Sequence, residues 1–359
     1  MIALANPTLG EEELDRIAAV FDRGRLARGP EVDAFESEFA SVCGASHGVA
    51  TANGTAALHA ALEALGLGPD DRVAVPTFSF IASANAVRWC GAEPTFVDVR
   101  AGTYALDLDA LDGRLRGGEP IDAVIAVHPF GLPCDVGRLL DLAEEYGFAV
   151  VEDAAQAHGA ASEGRPVGSF GDAACFSFFA TKNVTTGEGG MVVTDRGDVA
   201  DRARSFIEHG RTEEGYAELG HNFCMSEIAA AVGRAQLEKL PDYNDARRRN
   251  ARRLSDALRD TPVDPPSDPH DRRHVYHQYT IETDDRDALR EHLDADGIQT
   301  GAYYETPLHD HPAFDDRDVG LPSADRLKRR VLSLPVHHGL SDEEIDRIGG
   351  SVARFFEGS

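Results

Sequence analysis

Short, densely apolar runs alternate along much of the chain with longer stretches in which apolar residues return at helical spacing. Between about Glu31 and Val193 the runs RVAVP, EPTFVDV, DAVIAVHP, FAVVEDAA and AACFSFF read as strands. FIASANAVRWCG and DVGRLLDLAEEYG between them read as helices that stop near glycine. That rhythm predicts an α/β sheet with helices on both faces, and ligands in such sheets bind beyond the strand ends. Two further helical stretches, MSEIAAAVGRAQLEKL and NDARRRNARRLSDALRD, lead to a break at TPVDPPSDPHDRR, whose prolines and charges have the character of a linker. The remainder, from VYHQYTI to SDEEIDRIGGSVARFF, predicts a small α+β domain. The expected division is a large domain over residues 1–245, built on a parallel or mixed sheet, and a small one over 246–359. A chain of 359 residues accommodates both.

Composition narrows the classes of function. Hydrophobic residues make up 42% of the chain, as in a soluble globular protein. No stretch approaches the roughly 18 uninterrupted apolar residues of a membrane span. The N-terminal MIALANPTLGEEELDRI lacks an apolar run of signal-peptide length, so the expected location is the cytoplasm. Cys43, Cys90, Cys134, Cys175 and Cys224 are widely scattered with no C-x-x-C pair, which argues against both a disulfide framework and a metal site. The net charge of −27 would repel nucleic acid and anionic membrane. Acidic residues are spread over helix surfaces and the basic ones are almost all arginine, a bias expected of a protein adapted to high salt. At about 1 M salt the Debye length of roughly 3 Å suppresses the self-repulsion of such a surface.

Against that bias the chain keeps only three lysines, Lys182, Lys239 and Lys328. Lys182 follows an apolar strand and precedes a turn containing Gly187, Gly189 and Gly190; it is either a solvated loop lysine or a desolvated amine able to form a Schiff base. Asn53-Gly54-Thr55 stands immediately before an alanine-rich helix, where free N–H groups and a hydroxyl make either an ordinary cap or an anion site. In VVEDAAQAHGA a strand delivers Asp153, a candidate base, metal ligand, partner for a cationic ring nitrogen, or helix cap. Phosphate at a helix start, a carboxylate for a pyridinium and a lysine about thirty residues further on meet the requirements of pyridoxal phosphate.

These segments, in the order NGTAAL, VEDAAQAHGA, FSFFATKNVTTGEGGMVVT and GHNFCMSEIAAAVGRAQLEKL, resemble the sugar aminotransferases of the DegT/DnrJ/EryC1/StrS family. HVYHQYTI, GIQTGAYYETPLHDHPAF and VLSLPVHHGLSDEEI extend the resemblance over nearly the whole chain. It implies a fold type I enzyme dependent on pyridoxal phosphate, using glutamate and a nucleotide-linked keto sugar to make an amino sugar for surface polysaccharide or another glycan. By the same resemblance Lys182 would carry the Schiff base and shuttle the proton, Asp153 would hold the ring nitrogen protonated, and Gln156 would contact the phenolic oxygen. Gly54, Thr55 and Ser177 would bind the phosphate, Phe78 would stack on the ring, and His309 would lie near the sugar. Asn222 would reach the phosphate of a neighbouring subunit, making the protein a homodimer with shared sites. Cys224 departs from the pattern, since the family often has arginine there. Alternatives within the resemblance are a sugar dehydratase, whose relatives carry histidine at the position of Lys182, and a catalytically idle regulatory protein. A nicotinamide enzyme would need a G-x-G-x-x-G after its first strand, and none is present.

Overall fold

A computed structural model describes residues 1–314 and 319–358. Its main feature is a seven-stranded sheet. The spatial order is His47–Thr51, Gly190–Thr194, Ala173–Ser177, Ala149–Asp153, Ala123–Val127, Arg72–Pro76 and Glu93–Val97. Gly190–Thr194 runs antiparallel to both its neighbours, while the strands from Ala173–Ser177 across to Glu93–Val97 pair in parallel. The sheet is therefore mixed, and every apolar run read as a strand supplies one.

The central strands read as continuous apolar runs because both faces of the sheet are covered. Val73, Val75 and Ile125 join one hydrophobic cluster, whereas Ala74, Val124 and Ala126, pointing the other way, join a second. Helix Gly54–Leu65 lies on the first face against strands Ala173–Ser177 and Gly190–Thr194. Its buried residues include Ala57, Ala60, Ala61 and Ala64, whose small side chains let its backbone approach the sheet. Helices Leu108–Arg116 and Val136–Tyr146 cover the opposite face.

The two helical stretches near the middle of the chain form one helix, Glu227–Ala257, of 31 residues with Pro241 inside it. At its leading end the buried Glu227 carboxylate accepts the N–H groups of Glu31 and Val32 at 3.1 and 2.9 Å, capping helix Pro30–Cys43. At its trailing end Ala251 and Leu254 enter a separate core with Tyr279, Leu289, Leu332, Ile345 and Ile348. The expected boundary at 245/246 thus falls inside a continuous helix. The second core is α+β: antiparallel strands Tyr279–Glu282 and Val331–Leu334 pack with helices Arg286–Ala295 and Asp342–Glu357. Ile2 joins it as well, through a parallel bridge to Ile298. Among the described residues no helix is long and apolar enough to cross a membrane.

Candidate active site

Two adjacent parallel strands end at Asp153 and Ser177, and the candidate chemistry gathers there. Asp153 is 7% exposed. Its Oδ2 accepts from Ser83 Oγ at 2.7 Å, and that hydroxyl lies 2.9 Å from Ser79 Oγ. Oδ1 accepts the N–H of Ala155 at 3.3 Å, but residues 154–160 make turns and no helix begins there. The carboxylate is therefore no helix cap. With one hydroxyl and one amide as partners, it retains acceptor capacity for a cationic N–H.

Beyond Ser177 the chain turns back through Lys182, whose backbone N–H is held by the Phe179 carbonyl at 2.9 Å. Burial pulls the Lys182 amine down from 10.5 to about 8, with the Asp153 carboxylate opposing the drop. The neutral, nucleophilic form is thereby populated near neutral pH. Burial, followed by the lysine's charge, also pushes His158 down to about 3 and His277 well below its ordinary value, so neither imidazole competes for protons. The other lysines behave oppositely. Burial would lower Lys239 and Lys328, yet the hydrogen bonds that Lys239 donates to Glu12 and Glu13, and Lys328 to Asp310 and Asp325, outweigh it and raise both.

Across from Ser177 lies the start of helix Gly54–Leu65. Asn53 caps it, its side chain accepting the Ala56 N–H at 2.9 Å while its carbonyl takes that of Ala57 at 3.1 Å. The N–H groups of Gly54 and Thr55 are left facing out of the helix start without an acceptor among the described residues, as at anion sites. A Cβ on Gly54 would come within 2.7 Å of Ser177 Cβ, so only glycine keeps this cleft open. Gln156 is fixed from two sides: its Oε1 accepts the Phe130 N–H at 2.6 Å and its Nε2 donates to Tyr304 Oη at 3.1 Å. One amide hydrogen remains to donate.

Two expected residues lie elsewhere. Phe78 is 1% exposed, stacked near Tyr104 and edge-on to Tyr304, and offers no face to a ligand. Phe80, two residues on in the loop before Ser83, is 59% exposed and does. His309 is buried, its Nδ1 bonded to Thr77 Oγ1 at 2.6 Å; it fastens the start of the same loop and is neither open to a sugar nor exposed. Asn222 is exposed, in a segment tied by its backbone to Glu208. At Cys224 the expected guanidinium is absent, but Arg28 lies near the thiol and pairs with Glu208 and Glu36, both at 3.1 Å. Sequence reasoning missed Ser83 and Tyr304; Tyr304 lay within a quoted motif, whereas nothing local marks Ser83.

A phosphate, an aromatic nitrogen and an aldehyde carbon on one small planar molecule are matched here by the helix start, Asp153 and Lys182. The donor set therefore fits pyridoxal phosphate.

Comparison with known proteins agrees. The sequence profile of the DegT/DnrJ/EryC1/StrS aminotransferase family matches residues 7–353. A UDP-N-acetyl-3-dehydro-alpha-D-glucosamine 3-aminotransferase of Acidithiobacillus ferrooxidans is 40% identical, the match covering 98% of this chain and 95% of that protein. The dTDP-3-amino-3,4,6-trideoxy-alpha-D-glucose transaminase of Streptomyces venezuelae is 38% identical over 95% of this chain and 91% of its own. The crystal structure of a DegT DnrJ EryC1 StrS aminotransferase from Brucella abortus superimposes with a TM-score of 0.92 at 37% identity, covering 96% of this chain and 95% of that one. With the profile spanning nearly every residue and the fold matching throughout, the chain belongs to the DegT/DnrJ/EryC1/StrS family and is a pyridoxal-phosphate-dependent aminotransferase.

Proposed function

We propose that the enzyme moves an amino group from glutamate to C3 of a nucleotide-linked keto sugar, in a cytoplasmic homodimer whose two sites each draw on both chains. The observation that carries the catalytic part is the placement of the half-buried Lys182 just past the strand that ends at Ser177, next to the strand that delivers the buried Asp153; burial holds its amine down at about 8. The choice of C3 rests on the names of the two relatives, which share that carbon but differ in their nucleotide.

Pyridoxal phosphate, when bound, supplies an aldehyde that carries the amino group and a ring that draws electrons from the reacting carbon. The chain's residues do the rest. Gly54 and Thr55 present N–H groups to the phosphate at the positive end of their helix, and Ser177 adds its hydroxyl. Asp153, oriented by Ser83, keeps a proton on the ring nitrogen. Gln156, held by Phe130 and Tyr304, donates to the phenolic oxygen. Phe80, exposed in the loop before Ser83, would supply an aromatic face for the ring. Lys182 Nζ, neutral above about pH 8, takes the α-proton of the amino acid in the first half-reaction and delivers a proton to the sugar carbon in the second. Asn222 reaches the neighbour's phosphate, and exposed apolar side chains around it, Tyr216 and Leu219, favour pairing of chains.

Incubation with glutamate and a panel of UDP- and dTDP-linked 3-keto and 4-keto sugars, followed by mass analysis, tests this reading. The expected product is a sugar with its 3-oxo group replaced by an amine. Loss of water from the sugar in place of amination, or no turnover of any member, would overturn it.

A further inference from the structure

A second cluster of reactive side chains lies further along helix Gly54–Leu65, beyond the phosphate cradle. His59 and Glu63 stand four residues apart on one face of this helix, and Cys90 ends the neighbouring helix Ala82–Trp89. A His59 ring nitrogen, a Glu63 carboxylate oxygen and Cys90 Sγ all lie within 4.8 Å of one another. His59 is 6% exposed, and its Nε2 has no hydrogen-bond partner: the Glu63 carboxylate, 3.4 Å away, is out of line. A buried, unpaired nitrogen is a cost that a fold rarely carries without a reason.

We propose that His59, Glu63 and Cys90 form a binding site for a zinc-class divalent cation, with a fourth position open to water or to His221. One nitrogen, one sulfur and one carboxylate oxygen are zinc's donor set; magnesium and calcium would demand oxygens. Donors spread over 4.8 Å must draw in slightly, since zinc–ligand bonds of about 2.0–2.3 Å place tetrahedral ligands roughly 3–4 Å apart. Rotation of the Cys90 thiol away from the Ala86 carbonyl, now at 3.2 Å, supplies that movement. The His221 ring lies 5.6 Å from that of His59 and is the nearest further imidazole to the cluster among the described residues.

Of the two protonation states, His59 is ready to ligate and Cys90 must first give up its proton. Burial holds His59 down at about 4, so its imidazole is neutral and able to ligate, while burial and then Glu63 push the Cys90 thiol up. Binding therefore breaks the Cys90 S–H bond, forms a sulfur–metal bond and releases one proton to water, with no change of oxidation state. Scattered cysteines argued against a metal in the sequence because these ligands come from two helices and a loop. The bound ion would tie the helix that cradles phosphate to the helix carrying Ser83, the hydroxyl that orients Asp153. Through His221 it would also reach the segment presenting Asn222. The site stands apart from the cofactor chemistry, and either can fail without the other.

The test uses the cofactor-loaded enzyme, exposed to zinc sulfate and dialysed into metal-free buffer. We expect about one zinc per chain by atomic emission. Cobalt in its place should give visible bands at wavelengths longer than the cofactor's and quench Trp89, the sole tryptophan, whose ring lies 5.7 Å from His59. Cys90→Ser and Glu63→Gln should each weaken retention at least about tenfold, with circular dichroism and cofactor colour unchanged. His59→Gln replaces either variant if it misfolds. Absence of retained zinc in the wild type, or wild-type retention by the folded variants, would overturn the proposal.

Discussion

In the cofactor-free protein Lys182 should titrate near pH 8, apart from the other two lysines. Descent from 10.5 to about 8 means that burial disfavours the ammonium by roughly 3 kcal/mol, net of the attraction to Asp153. At pH 7.5 roughly a quarter of such amines are neutral, against roughly one in a thousand for an ordinary lysine. Lys239 and Lys328, held by carboxylates and raised above 10.5, serve as standards in the same molecule. Competitive acetylation over a pH series, read peptide by peptide in the mass spectrometer, separates the three. Acetylation at Lys182 should rise through about pH 8 and level off, while the other two continue to rise beyond pH 10.5. Asp153→Asn should move the Lys182 midpoint lower still, because the lost carboxylate favoured the charged amine. If Lys182 follows the other two, or if Asp153→Asn raises its midpoint, the argument from desolvation is wrong.

Other expectations follow from the same geometry. Phe78→Ala should cost about 3–5 kcal/mol of stability in denaturant unfolding, as for a core ring. Phe80→Ala should stay within about 0.5 kcal/mol in that assay and instead weaken cofactor binding; the reverse pattern would restore Phe78 to the ring face. Gly54→Ala should reduce cofactor affinity at least about tenfold in equilibrium dialysis, since its new methyl group meets Ser177; unchanged affinity would empty the cradle of its role. Lys182→Ala and Asn222→Ala chains, each inactive, should recover activity when mixed as subunits, and a fully active monomer would refute the shared site. The proposed dimer should also loosen on desalting as the charge of −27 loses its screening, which sedimentation across a salt series would follow.

The central strands were legible as short continuous apolar runs and most helices by their hydrophobic period, and Lys182, Asp153, Gln156 and Gly54 stood out as candidates because they sit inside contiguous motifs just past strands or at a helix start. Phe78 and Phe80 show where legibility stops. Both lie in an irregular loop, where no strand alternation or helical period says which ring turns inward. Tertiary packing against Tyr104 and Tyr304 decides it. The burial of His309 was hidden for a related reason: its partner, Thr77, is 232 residues away in sequence. Pro241 suggests a break to a reader of propensities, yet packing on both sides carries helix Glu227–Ala257 through it.

That helix also governs how the enzyme can move. At about 1.5 Å per residue it is a rod of roughly 45 Å, clamped at one end by the Glu227 carboxylate and embedded at the other in the core around Leu254. A hinge at 245/246 would require breaking consecutive helical hydrogen bonds, so the two cores are geared together rather than free to swing. Pro241, lacking an N–H to give, is the one place where the rod can flex at little expense. Access to Lys182 must then be regulated by the loops around it, the Phe80 segment above all, and a substrate that demands a wide domain closure would be a poor one for this enzyme.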